Sequence, residues 1–257
     1  MAVIRVMTYN VHSCIGRDLR HDLQRIARVI EAHEPDIVAL QELDIRHKLP
    51  DGLDQPMEIA RYLEMDYHFH PSIKVAEGQY GNAILSRYPF KKIAARQLPP
   101  IKEEIKLTRI EKWFRFAFEP RGIIWTQLDV NGTPVQVLTT HLGLITEERK
   151  IQMAMIRSSQ WLNAEECAPP VIFLGDFNDT PRSQLYKTLT VQEGFRDAQA
   201  SAPDHRRSAT FFSGLPWRCL DHIFVKGVKA VRSCTVPWNK LTRLASDHLP
   251  VIADIEL

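Results

Sequence analysis

One stretch constrains this chain more than any other. Residues 171–179 read VIFLGDFND: four apolar side chains, then Gly175, Asp176, Phe177, Asn178 and Asp179. A short unbroken apolar run of this kind reads as a buried strand. Gly175 lets the backbone turn with no Cβ in the way. The polar cluster falls at the strand's C-terminal end, where sheet proteins often carry their chemistry. A carboxylate beside a carboxamide offers oxygen ligands for a hard cation and a neutral group that hydrogen-bonds phosphate. Turn formation alone explains many such clusters. The weight comes from four other strand ends in the chain that finish the same way.

Residues 2–8 predict a first strand that runs into Tyr9 and Asn10. Asp22 opens a helix whose apolar positions Leu23, Ile26, Ala27 and Ile30 recur at helical spacing. DIVAL at 36–40 predicts a second strand, with Gln41 and Glu42 at its end. A polar loop at 48–55 leads to a helix around 56–63, with Pro56 in its first turn. Strands are expected at 67–70, 82–86 and 91–96, with a short polar turn at 77–80. Asn131 and Gly132, between the apolar runs 123–130 and 133–140, require a type I′ hairpin whose second strand ends at His141. Thr146 is the expected cap of a long helix with Glu147 and Glu148 in its first turn. Ile151, Ala154, Met155 and Leu162 would form its buried face. Thr180 and Pro181 predict the start of a short helix reaching Leu189. Strands follow at 219–225, which holds Asp221 and His222, at 228–236 and at 249–255. Ser246, Asp247 and His248 precede the last. Hairpins mixed with helix crossovers predict an α/β protein of two packed, mostly antiparallel sheets with helices outside.

The 257 residues, 44% hydrophobic and 25% charged, suffice for a sizeable core and are expected to form one domain over 1–257. A net charge of +2 does not announce a nucleic-acid partner. Cys14, Cys167, Cys219 and Cys234 lack metal-type spacing, which favours a reducing compartment. The N-terminus lacks the features of a secretory signal, and no apolar run approaches bilayer-spanning length. A soluble, cytoplasmic monomer is the expectation. Residues 99–120 interleave basic residues with Trp113, Phe114, Phe116 and Phe118. That pattern suits a phosphate-bearing ligand or a membrane surface, and equally an edge strand or flap with a solvated charged side.

Singly, each polar strand-end residue is more often a turn former or a satisfied hydrogen bond than a catalyst. Together, Asn10, Glu42, His141, Asp176, Asn178, Asp221, Asp247 and His248 hold what a metal-assisted phosphoester hydrolase requires. Glu42, helped by Asn10 or Asp247, offers hard oxygen ligands suited to Mg²⁺. Asp221 is a candidate partner for His248, fixing its tautomer so that the other nitrogen can take a proton from water. Asp176 could orient or deprotonate the water, or assist the leaving group. Asn178 and His141 would donate to phosphate oxygens as negative charge builds. The chain has no GxGxxG, P-loop or GxSxG signature.

In order, TYN (8–10), QE (41–42), GNAILSRYP (81–89), THL (140–142), GDFN (175–178), LDHIFV (220–225) and SDHLPV (246–251) resemble the endonuclease/exonuclease/phosphatase superfamily, the DNase I-like proteins. The ordered set is specific for the superfamily and weak for any one branch of it. The resemblance implies a four-layer α/β-sandwich, a Mg²⁺ or Mn²⁺ cofactor and hydrolysis of phosphoesters. It implies that Glu42 is the principal metal ligand, assisted by Asn10 and Asp247. It also implies that Asp176 and Asn178 handle water and phosphate, and that Asp221 and His248 form the family's Asp–His pair, with His248 the favoured base. His141 stands where DNase I-like and sphingomyelinase-like members carry His and AP endonucleases usually carry Tyr. Asn82 is expected to support His141, face the phosphate or make a strand-end hydrogen bond, and Arg121 to grip substrate phosphate bidentately or form a surface ion pair. His12 is expected to be a loop residue. A phospholipid or other small phosphoester is the preferred substrate, with DNA its rival. A non-catalytic binding module on the same fold is disfavoured by the intact carboxylates and histidines.

Overall fold

The computed structural model describes residues 2–45, 53–75, 78–100, 119–204 and 207–257. Most of the 99–120 segment and of the 48–55 loop lies outside these residues. In chain order the elements are β1 (Val3–Asn10), α1 (Leu23–Glu31), β2 (Ile37–Ile45), α2 (Gln55–Leu63), β3 (Asp66–Val75), β4 (Gly78–Ser86), β5 (Phe90–Gln97), β6 (Gly122–Val130), β7 (Thr133–His141) and α3 (Thr146–Ile156). There follow β8 (Val171–Asp176), α4 (Gln184–Lys187), β9 (Arg196–Asp197), α5 (Ala198–Ser201), β10 (Asp221–Lys226), β11 (Ala230–Thr235), α6 (Lys240–Ala245) and β12 (Val251–Glu256).

The strands form two six-stranded sheets, ordered β11-β12-β1-β2-β4-β3 and β5-β6-β7-β8-β10-β9. Their facing surfaces enclose one apolar core, with Val6, Ala39 and Ile84 from the first sheet meeting Ile124, Val137 and Ile172 from the second. On the first sheet's outer face, Ile26 and Ile30 of α1 and Ile59 of α2 pack on Met7, Val38 and Leu40. On the second sheet's outer face, Met153 and Ile156 of α3 join Trp125 and Phe173. Central strands are therefore covered on both sides, which is why β8 reads as an unbroken apolar run. Each such side chain, fully buried, contributes about 1.5–3 kcal/mol. The layers are those of the expected four-layer α/β-sandwich.

This topology puts the polar strand ends together. β1 runs parallel to β2, and β7 parallel to β8. β12 is antiparallel to β1, and β10 to β8. The C-terminal ends of β1, β7 and β8 and the N-terminal ends of β10 and β12 thus share one edge of the sandwich. Register makes the convergence specific: Asp176 pairs with His141 on one side and with Asp221 on the other.

Several expectations need correction. β3 and β4 form one long hairpin, so Gln79 and Tyr80 belong to a strand rather than to a polar turn. Ile145, not Thr146, holds the cap position of α3, and the Thr146 hydroxyl accepts from Arg149 Nη2 at 3.1 Å. The buried face of α3 is Glu148, Arg149, Gln152, Met153 and Ile156; Ala154 is exposed and Leu162 lies beyond the helix. The polar part of that face has backbone to satisfy, because the loop after His141 packs beneath it. Gln152 accepts from Gly143 N at 2.9 Å, and Arg149 donates to the carbonyls of Gly143 and Leu144. Thr180 and Pro181 do not start a helix; Ser183 caps α4, accepting from Tyr186 N.

Gly175 is required for two reasons. Its φ is +152°, and a Cβ built there would stand 2.0 Å from the Thr140 carbonyl oxygen on the parallel neighbour. Gly175→Ala must therefore spread β7 from β8 or rotate the backbone. The expected loss, read by urea denaturation, is about 3 kcal/mol. A midpoint within error of the wild type would contradict this close packing.

Candidate active site

Asp176 ends β8 with its carboxylate almost wholly buried at the centre of the convergent edge. Its Oδ1 accepts the Asn178 backbone N–H at 2.8 Å. Its Oδ2 accepts from Asn10 Nδ2 at 3.0 Å. The same oxygen lies 3.5 Å from His141 Nε2 and 3.7 Å from His248 Nε2. One carboxylate oxygen and two imidazole nitrogens, carried by β8, β7 and the segment before β12, thus face a single small space.

The tautomer of each imidazole follows from its other nitrogen. Arg121 Nη1 stands 2.9 Å from His141 Nδ1, and a guanidinium can only donate. His141 Nδ1 is therefore the acceptor and its proton sits on Nε2, aimed toward Asp176. His248 Nδ1 stands 2.8 Å from Asp221 Oδ2, a pure acceptor, so this nitrogen carries a proton. Burial works against a charged His248. The adjacent Asp221 and Asp176 carboxylates outweigh it and hold the imidazole well above its ordinary range. Burial also pushes Asp176 up, helped by the negative charge of Asp221. The pair shares charge across the cleft: His248 is held toward imidazolium, and Asp176 is held more basic than an ordinary aspartate.

Glu42 reaches the site through backbone distortion. It lies within β2, where the pairing with β4 slips between Leu40 and Leu43. Gln41 and Glu42 together oppose Asn82, and Glu42 adopts φ +62°. A left-handed glutamate inside a bulge is a strained residue, and bulges next to active sites commonly re-aim a side chain. The carboxylate accepts from Asn10 Nδ2 at 3.0 Å and lies 4.0 Å from His141 Nε2. The Tyr80 hydroxyl is a further hydrogen-bond partner. Burial would raise its pKa, but its His141 neighbour, the Asn10 hydrogen bond and the nearby His248 and Arg121 outweigh burial and lower it to about 2. Glu42 is accordingly an anion held in a half-buried position.

The remaining expected residues divide. Asn178, also left-handed at φ +50°, donates one amide hydrogen to the Leu142 carbonyl at 2.8 Å and has a second one to give. Asn10 Oδ1 is taken by the His12 backbone N–H, which turns the Nδ2 of Asn10 to the carboxylates. It thus orients Glu42 and Asp176 and does not present an oxygen to the cleft. Asp247 is half-buried beside His248. Its Oδ1 lies 3.4 Å from the Ser246 hydroxyl, which also holds the Asn10 carbonyl and the His248 N–H. Asn82 is buried across from the β2 bulge, its Nδ2 without a hydrogen-bond partner. Arg121 departs from expectation. It is buried against His141, with Glu119 at 3.4 Å, and does not offer a two-pronged grip to open solvent.

Sequence reasoning missed several supports. Thr210 Oγ1 accepts from the backbone N–H of Leu220 and Asp221, which fixes the start of β10. The Phe211 ring lies 4.9 Å from the His248 imidazole. His222 is sandwiched between the Asp197 carboxylate and the Asp179 carbonyl, both pure acceptors, and so anchors the loop beyond Asn178. His222 lies inside LDHIFV, Ser246 inside SDHLPV, and Tyr80 directly precedes GNAILSRYP, so these three could have been suspected from the motifs.

The donors fit a hard divalent cation. They are carboxylate oxygens without thiolates, Glu42 is kept ionised, and Asp221 Oδ1 is buried with no hydrogen-bond partner.

Residues 7–248 match the model of the Endonuclease/Exonuclease/phosphatase family. The Escherichia coli K12 protein named Uncharacterized protein YbhP is 29% identical over 264 residues, covering 98% of this chain and 96% of that one. An endonuclease/exonuclease/phosphatase from Bacteroides vulgatus superposes with a TM-score of 0.77 at 24% identity, over 100% of both chains. The mannosyl-6-phosphatase Bt3783 of Bacteroides thetaiotaomicron VPI-5482 also gives 0.77, at 19% identity, over 99% of this chain and 100% of that one. These structural likenesses carry the fold.

Proposed function

Because the chain belongs to the Endonuclease/Exonuclease/phosphatase family, whose members act on phosphoester bonds, we propose that it is a divalent-cation-assisted phosphoester hydrolase. The observation that carries the reading is the meeting of Asp176 Oδ2 with His141 Nε2 and His248 Nε2 at 3.5 and 3.7 Å. Glu42, with Asp247, would hold Mg²⁺ or Mn²⁺. When bound, that ion polarises a non-bridging phosphate oxygen and offsets its charge.

The chain's own groups supply the rest. Asp176 Oδ2 is the base that takes a proton from the attacking water, because its surroundings raise its basicity while keeping it central. The sequence reading gave that role to His248. The Asp221 carboxylate instead favours a cationic His248, which donates through Nε2 to the phosphate as charge builds. His141, its tautomer set by Arg121, and Asn178 donate to other phosphate oxygens. Asn10 keeps the two carboxylates apart from each other and in place.

The test is hydrolysis of bis(p-nitrophenyl) phosphate with Mg²⁺, Mn²⁺ or EDTA, followed by sphingomyelin, inositol phosphates, plasmid DNA and an abasic oligonucleotide. The expected result is metal-dependent, EDTA-sensitive turnover of phospholipid or small phosphoesters, with supercoiled DNA left intact. Metal-independent turnover, or none on any substrate, would overturn the reading. Nicked plasmid would move the substrate to DNA.

A further inference from the structure

A second surface lies beside the cleft, on the loop between Thr210 and Leu220. Its ends are locked: Phe211 and Arg218 pair as a short bridge, and Ser213 N donates to the Asp247 carbonyl at 2.7 Å. Its tip is not covered. Leu215 is 77% exposed and Trp217 71% exposed, and Phe212 stands exposed beside them.

Two neighbouring segments extend the same face. Trp238, 53% exposed, donates its indole N–H to the Ser213 carbonyl at 2.9 Å. The turn carrying Leu19 is tied to α6 by Arg17 N donating to the Leu244 carbonyl. Isolated exposed apolar residues are ordinary, but a contiguous group of large ones marks an interaction surface.

Arginines fringe the apolar tip on both sides. The Arg17 guanidinium lies 4.8 Å from the Phe212 ring centroid, and Arg243 lies 4.9 Å from that of Trp238. On the far side Arg218 stands 5.5 Å from the Trp217 ring. Arg182 and Arg207 line the adjoining groove of about 540 Å³ with Trp217, and among the described residues no acidic side chain lines it. Large apolar side chains that cannot be buried within the chain, ringed by cations, match the interfacial zone of an anionic bilayer. There indole rings sit at headgroup depth and each arginine gains from the surface potential.

From this we infer that the 211–218 tip, flanked by Trp238 and the Arg17 turn, docks the protein onto anionic phospholipid surfaces. The Phe211 ring packs on His248 at one end of the same loop, so docking sets the cleft against the headgroups. One consequence rests on the hydrolase reading above: the substrate is then a phosphoester presented at a lipid surface. The aromatic and basic 99–120 segment, offered by the sequence as a membrane-facing stretch, lies mostly outside the described residues.

Flotation of the full chain with vesicles tests the inference, using phosphatidylcholine alone and phosphatidylcholine with a third phosphatidylglycerol. The wild type is expected to float with the anionic vesicles and to be released by high salt. Leu215→Ser with Trp217→Ser, and separately Arg17→Glu with Arg243→Glu, should each weaken binding about tenfold or more. Turnover of soluble bis(p-nitrophenyl) phosphate should be unchanged in both, which shows that they fold. Wild-type protein that stays with the soluble fraction, or variants that float equally well, would overturn docking. So would a dimer in solution, or DNA retention, that the tip variants alone abolish. Absent turnover with intact flotation would sink the hydrolase reading and leave docking standing.

Discussion

Asp176→Asn is expected to lower kcat on any accepted phosphoester by about 10⁴-fold, while thermal unfolding shifts little. The change is isosteric, and the amide oxygen can still accept the Asn178 N–H now received by Oδ1 at 2.8 Å. What is lost is the anionic Oδ2, the atom that Asn10, His141 and His248 all face. An amide nitrogen there cannot accept a proton from water, and it meets the Asn10 amide donor as a second donor. The same substitution removes a buried carboxylate whose ionisation is disfavoured by burial and by Asp221, so folding itself should suffer little. The comparison with Arg121→Gln separates roles. Arg121 acts on His141 and not on the base, so its loss should cost about 10²-fold. A rate for Asp176→Asn within tenfold of the wild type would remove Asp176 from the chemistry and return the role to His248.

Where the chain could be read in advance, the reason was local. VIFLG and DIVAL are buried on both faces, so apolar letters alone announce β8 and β2. Asp22 caps α1 by accepting from Arg25 N, a contact three residues away. The hairpin of β6 and β7 turns at Asn131 and Gly132, both at positive φ. The strand-end residues converge because β1 and β7 run parallel to β2 and β8, while β12 and β10 run antiparallel to β1 and β8.

What stayed hidden was set by distant contacts. Nothing in QELDI marks the bulge that aims Glu42, because the slip depends on how β2 meets β4. The polar face of α3 follows from the loop it clamps, so helical periodicity pointed to the wrong side chains. Arg121 looked like a phosphate ligand because its position after Glu119 and Pro120 says nothing of His141, twenty residues on. The arginine-fringed tip at 211–218 is assembled from three separated segments, and its letters alone read as a turn.

The second large effect is expected at Glu42. Glu42→Gln should reduce turnover by about 10³-fold and shift the Mg²⁺ or Mn²⁺ concentration for half-maximal rate upward by tenfold or more. Three features of the site argue for a coupled loss of rate and metal affinity. The carboxylate is half-buried yet held ionised near a pKa of 2, so its charge is available for a cation at every working pH. It occupies a left-handed backbone, a strained placement that a purely structural glutamate has no need to retain. It is also held by the Asn10 amide, which at the same time grips Asp176, so a displaced Glu42 disturbs the base as well. Glutamine keeps the volume, and its amide can rotate to satisfy Asn10, which leaves loss of charge as the main change. Asn10→Ala should then show a smaller rate loss with a similar upward shift in metal requirement, since the carboxylate remains but is no longer fixed. Titration of the metal in steady-state assays of the three proteins reads all of this. Equal half-maximal metal concentrations in the wild type and Glu42→Gln would place the cation on other oxygens, Asp247 and Asp221 foremost.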